Sequence, residues 1–195
     1  TVSLTSECSK DRAMVTYLGS ICALTPAHFD REKLSSAKHV HVGSFFLQSG
    51  LRPALPELFE FAQRRGVTTS LDAGWDDSGC WDYGISKVLV HTDVFLPNEL
   101  EAKAITGLDS AEKAAAELAK LCRICAVKCG PEGAVVAANG GVKSYKTYDA
   151  PVRDTTGAGD SFNAGFLYGF INGFDTDLSA AYGNACGSIS VTRYG

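Results

Sequence analysis

Asp154-Thr155-Thr156-Gly157-Ala158-Gly159-Asp160-Ser161-Phe162-Asn163-Ala164-Gly165 is a glycine-rich turn that runs without a break into an amphipathic helix. Phe162, Phe166 and Phe170 recur at i, i+4 and i+8, which predicts one apolar helix face over about 158–173. Gly157 and Gly159 carry no side chain, so the backbone can approach an anion closely. The helix start adds free N–H groups and the positive end of a dipole, and the stretch therefore predicts a phosphate site. Asp160 puts a carboxylate in the same turn, where it would repel phosphate unless it had a task. Accepting the proton of an attacking hydroxyl is such a task, while the helix terminus stabilises charge on a transferring group. An ordinary capped turn explains less, because capping requires neither two glycines nor two aspartates together. A dinucleotide fingerprint fails, since it needs a glycine where Phe162 stands.

Upstream of this turn, strand and helix patterns alternate. Strands are expected at 38–42, 67–71, 94–96 and 124–128, and helices at 53–65, 85–90, 99–105 and 111–121. Thr25-Pro26 supplies an N-cap and a first-turn proline for a shorter helix toward Leu34. Parallel neighbours need crossover connections, so the alternation argues for a mostly parallel sheet with helices on both faces. The runs 134–138 and 142–145 flank Asn139-Gly140-Gly141 and predict instead a hairpin on an antiparallel edge. A last helix is expected over 178–190. At the front, 2–5 and 14–18 flank a charged turn at Lys10-Asp11-Arg12 and read as a hairpin segment over 1–20, ahead of an α/β domain over 21–195. A hairpin is an unusual opening for such a sheet, and both ends are expected to be cut.

Composition removes several function classes. Hydrophobic residues make up 45% of the 195 positions and charged residues 21%, enough for one substantial core. No apolar run reaches the roughly 18 residues of a membrane span, no signal pattern opens the chain, and the cytosol is the default compartment. A net charge of −4 with scattered basic residues gives no footprint for nucleic acid. Seven cysteines, an odd number spread along the chain, fit reduced thiols. Cys122, Cys125 and Cys129 have the spacing of a thiolate metal site but lack an evident fourth ligand, and core packing accounts for them better. His39 and His41 alternate on one strand without a suitably spaced third ligand, so an edge pair is expected rather than a metal pair.

The string 154–165 closely matches the second signature of the ribokinase family of carbohydrate kinases, and the chain resembles the later two-thirds of a typical member. The resemblance implies a doubly wound three-layer α/β/α sandwich with a small β lid. It implies ATP-dependent phosphoryl transfer to a sugar or nucleoside hydroxyl, with Asp160 as the base and the backbone of Gly157, Ala158, Gly159 and Asp160 as the anion hole. Asn98 and Glu101, three residues apart at a helix start, look like the family's Asn-x-x-Glu motif, which supports magnesium and phosphate, usually through water. Lys128, Gly130 and Gly133 resemble its nucleotide-binding loop, and Asn184 falls where the base region is contacted. Asp154 and Thr156, with Ser190, Arg193 and Gly195, would hold a monovalent cation, potassium. The segment 72–77 resembles a loop near the active-site cleft. Gly43-Ser44-Phe45 ends an expected strand, where open sheets bind ligands, and reads equally as a border of the acceptor substrate or as a simple turn. Members pair through the lid, so a homodimer is implied. The family's first core strand and sugar-gripping glycine signature are not found, which predicts an intact nucleotide site beside an incomplete acceptor site.

Overall fold

The computed structural model describes residues 2–5 and 12–194. Lys10 and Asp11 of the front turn, Cys8 and Gly195 lie outside the described residues. Val2–Thr5 (β1) and Arg12–Val15 (β2) pair antiparallel, with Val2 opposite Val15 and Thr5 opposite Arg12. The second strand thus starts two residues earlier than the 14–18 expected and stops before Tyr17.

A short helix at Ser20–Ala23 (α1) follows. The helix expected toward Leu34 is broken in two. Pro26–His28 forms a 3-10 turn closed by a capping box with Thr25, and Arg31–Ser36 (α2) starts afresh. The break is chemical: the Asp30 carboxylate accepts the Glu32 and Lys33 N–H groups and so caps a new helix instead of continuing the old one.

The main sheet holds His39–Val42 (β3), Thr68–Leu71 (β4), Val94–Phe95 (β5), Ile124–Lys128 (β6), Ala134–Ala138 (β7) and Gly141–Tyr145 (β8), side by side in that order. β3 to β6 are parallel, and β6, β7 and β8 are antiparallel neighbours. The β7–β8 turn is the expected one, with Asn139 and Gly140 at φ 53° and 78°, as a two-residue primed turn requires.

The crossovers are Leu55–Gln63 (α3), Ile85–Leu89 (α4), and Glu99–Thr106 (α5) with Ala111–Leu118 (α6). They cover one sheet face, where Phe59, Val88, Leu89 and Ala114 pack on Leu71, Phe95, Cys125 and Val127. Ala158–Ile171 (α7) and Thr176–Ser190 (α8) cover the other, where Phe162, Phe166 and Ala180 meet Val94, Leu96, Ile124 and Ala126. The period-two alternation along β6 separates these two cores. Asp175 caps α8 through the Leu178 N–H at 2.7 Å, which starts that helix at Thr176 and not at Leu178.

α7 and α8 touch backbone to backbone. A Cβ on Gly165 would lie 2.5 Å from Tyr182 O, one on Gly169 2.8 Å from Ser179 Cα, and one on Gly183 2.8 Å from the Phe162 ring. Glycine at these positions sets how close the pair can come.

Candidate active site

Four elements end together at the carboxyl edge of the parallel strands, the edge at which open α/β sheets bind ligands. Asp72 follows β4, Asn98 follows β5, Lys128 closes β6, and α7 begins beside them. Asn98 bridges to Lys128, whose N–H donates to Pro97 O at 2.9 Å. The side chains then interlock. Lys128 Nζ donates to Asp72 Oδ2 at 2.7 Å and to Asn163 Oδ1 at 3.1 Å, while Asn163 Nδ2 donates to the same Asp72 oxygen at 2.8 Å. The lysine and aspartate side chains are only 13% and 14% exposed. Burial pushes the Asp72 carboxyl up, but the Lys128 charge and the bonds from Lys128 and Asn163 outweigh it and hold the group below the usual carboxylate range.

The turn expected to bind phosphate sits on this triangle. Gly157 caps α7 in the left-handed region at φ 74°, ψ 0°, and Ser161 is bonded back to Gly157 O at 2.8 Å. Helix geometry leaves the N–H groups of Gly159 and Asp160 without intrahelical acceptors. A Cβ on Gly159 would lie 3.7 Å from Lys128 Nζ, so the turn rests directly over the ammonium. Asp160 itself is exposed at the mouth of the turn.

Asn98 and Glu101 form a reciprocal capping box: Asn98 Oδ1 accepts from Glu101 N at 2.9 Å, and Glu101 Oε2 accepts from Asn98 N at 2.8 Å. Glu101 is buried, and burial raises its pKa; the Asn98 bond and Lys128 pull it down and Asp72 pushes it up, with a net rise. Among the described residues no three His, Cys, Asp or Glu side chains gather into a metal cage. A single carboxylate suits a cation that keeps its own water, as magnesium does.

The other expected site residues are spread around this centre. Gly133, at φ 92°, is pressed against the end of β8 so tightly that a Cβ would collide with Tyr145 O, and Gly130, at φ 56°, borders open space. Asn184 is buried on α8, with its amide donated to Tyr145 O at 3.2 Å and Lys146 O at 3.1 Å; it secures the chain leaving β8. Arg153 and Asp154 N–H groups both bond Val191 O, at 2.8 and 3.3 Å. That brings Asp154, whose Oδ1 accepts from Thr156 N at 2.9 Å, to the end of α8 near Ser190 and Arg193. Cys122 and Cys125 are buried in the core, and burial raises the half-buried Cys129 thiol to about 11.

The sequence profile of the pfkB family carbohydrate kinases matches residues 1–195. The chain belongs to this family. It is 33% identical over 174 residues to an ATP-dependent ribose-1-phosphate kinase of Halopiger xanaduensis, covering 89% of this chain and 55% of that protein. An uncharacterized sugar kinase of Archaeoglobus fulgidus is 31% identical, over 86% of this chain and 67% of its own. The solved structure of an adenosine kinase from Sinorhizobium meliloti superposes with a TM-score of 0.83 at 26% identity, over 98% of this chain and 60% of that one. This pfkB-family chain thus spans little more than half the length of the first of these relatives.

Asp72 and Asn163 belong to the site though the sequence assigned them no role, and His39 and His41 lie on the neighbouring strand. Asp72 is the hub: its side chain holds Lys128 and Asn163, and its carbonyl accepts Phe45 N at 3.0 Å, which stitches the loop after β3 to β4. His41 bonds Ser70 Oγ through Nδ1 at 2.7 Å, and His39 spans Thr68 Oγ1 at 2.8 Å and Ser70 Oγ at 2.7 Å. The two histidines form a hydrogen-bonded ladder with β4. Burial lowers the His41 pKa, with Lys128 acting in the same sense and Asp72 and Asp160 against it. Their alternation on one strand was the available signal; their partners were not.

Proposed function

We propose that this chain carries the nucleotide-binding and phosphoryl-transfer part of an ATP-dependent kinase acting on a hydroxyl of a sugar or nucleoside. The observation that supports it is the convergence of an open helix start, a carboxylate at its mouth and a buried lysine beneath it, all at the carboxyl edge of a parallel sheet. Asp160 takes the proton of the attacking hydroxyl, and the backbone of Gly157, Ala158, Gly159 and Asp160 stabilises charge on the transferring group. Asn98 and Glu101 orient a hydrated magnesium ion, which when bound neutralises charge across the phosphates. The loop of Lys128, Gly130 and Gly133 follows the nucleotide, and Asn184 holds the segment that covers it. Asp154, Thr156 and oxygens of Ser190, Arg193 and Gly195 take potassium at the α8 C-terminus, where the helix dipole favours a cation. The β1–β2 hairpin acts as a lid over the acceptor and as the contact of a homodimer, and the free thiols suit the cytosol.

Coupled ADP release with magnesium and potassium tests this, on a panel led by ribose 1-phosphate and adenosine, the acceptors that two relatives' names carry. Acceptor-dependent turnover that falls about 1,000-fold in Asp160→Asn is the expected result. Nucleotide binding with no turnover for any acceptor would instead make the chain a nucleotide-binding protein or a kinase half that lacks its substrate half.

A further inference from the structure

The Lys128–Asp72 pair is more constrained than a nucleotide contact requires. A buried ion pair adds little net stability over an apolar filling of the same volume, so what it contributes is placement. The Asp72 carboxylate accepts at both oxygens. Its Oδ1 accepts from Gly74 N at 3.1 Å, and its Oδ2 accepts from both Lys128 and Asn163. A carboxylate so occupied is set to hold its neighbours and not to act on a substrate. An ammonium has three donors; two are directed at Asp72 and Asn163, which leaves one for an anion. Asn163 stands three residues after Asp160 and so shares its side of α7.

Resting on the kinase reading above, we propose that Asp72 is a positioning residue that, with Asn163, fixes the Lys128 ammonium beneath the Gly157–Asp160 turn. A localised positive charge then stands behind the first N–H groups of α7, and both act on the transferring phosphoryl group. Because the Asp72 carbonyl also carries Phe45 N, the same residue ties the acceptor-side loop to the charge that serves the reaction.

Thermal unfolding and steady-state kinetics of Asp72→Asn, Lys128→Met and the double variant, in the full-length protein, decide the matter. Each single variant is expected to lose roughly 100-fold in kcat with KM for ATP changed less than about 3-fold, and to melt lower, since each strands one buried charge. The double variant strands none; its Tm should return close to the parent's while its kcat stays at the Lys128→Met level. Recovery of kcat together with Tm in the double variant, or an undiminished kcat in Asp72→Asn, would overturn the proposal and leave a purely structural clamp. A parent without turnover sinks the kinase reading separately. The variants are then read by titration with ADP in the presence and absence of aluminium fluoride. Loss of the parent's preference for the fluoride complex in Asp72→Asn is expected, and its persistence refutes the positioning role.

Discussion

The two ends of the strand edge are built differently. At the end proposed for phosphate, Asp72, Lys128 and Asn163 bond one another, and the turn above them has glycine at its left-handed position. At the end proposed to face the acceptor, Ser44 occupies the left-handed region at φ 55°, Trp81 and Tyr83 lie at φ 53° and 46°, and Trp75 and Tyr83 remain 50% and 46% exposed. Backbone in such conformations costs on the order of 1 kcal/mol per residue for side chains other than glycine. On the proposed reading, the first end is preorganised for a fixed chemical group, the phosphate. The other holds backbone strain and exposed aromatic surface.

Three substitutions would break or sharpen this contrast. Gly133→Ala attacks the relaxed end where it has no slack: a Cβ at φ 92° meets backbone of Tyr145, Lys146 and Thr147. A loss of about 3 kcal/mol in stability is expected by chemical denaturation; a loss below about 1 kcal/mol would mean that the loop yields easily and that the end is not rigid. His39→Gln probes acid sensitivity on the β3 side. Burial, and then His41, lower the His39 pKa from 6.5 to about 4, so the unfolded chain binds the proton first and stability falls as pH drops through that window. The variant should flatten that fall by on the order of 1 kcal/mol after screening by solvent; parallel melting curves for variant and parent between pH 7 and 4 would remove His39 from the account. Asp72, held below its usual range, loses its contribution only at more acidic pH, so acid should loosen the β3 side before the phosphate end. Ser44→Gly relieves strain at the acceptor end and should raise stability by about 0.5 kcal/mol, the relief being partly offset by the entropy of an added glycine. A destabilised variant would show that Ser44 is held there by contacts and not under strain.

Most of the layered fold was legible because its signals are local. The Asn139-Gly140 turn, the period-two run of β6 and the phenylalanine stripe of α7 each lie within a few residues of sequence. The helix over 25–34 was misread because Asp30 looks like any polar helix residue until its carboxylate turns back to the Glu32 and Lys33 N–H groups. Within the site, the Gly157–Asp160 turn and the Asn98–Glu101 box could be read for the same reason of proximity. The clamp beneath them could not, since Asp72 stands 56 positions from Lys128 and 91 from Asn163, and nothing local marks those three as partners. The sheet order, which sets β4, β5 and β6 side by side, brings Asp72 and Lys128 to one edge, and the packing of α7 on that sheet adds Asn163.

The glycine seam between α7 and α8 bears on how firmly the start of α7 is aimed. Side-chain layers can hop among rotamers, and each hop lets a helix roll by a few degrees. Where Gly165 and Gly169 press on Tyr182 and Ser179, main chain meets main chain with only the short Ser179 and Cys186 side chains beside it. The bearing of α7, and with it the direction in which its first N–H groups point, is set by main-chain contact, like a shaft running in a bushing without play.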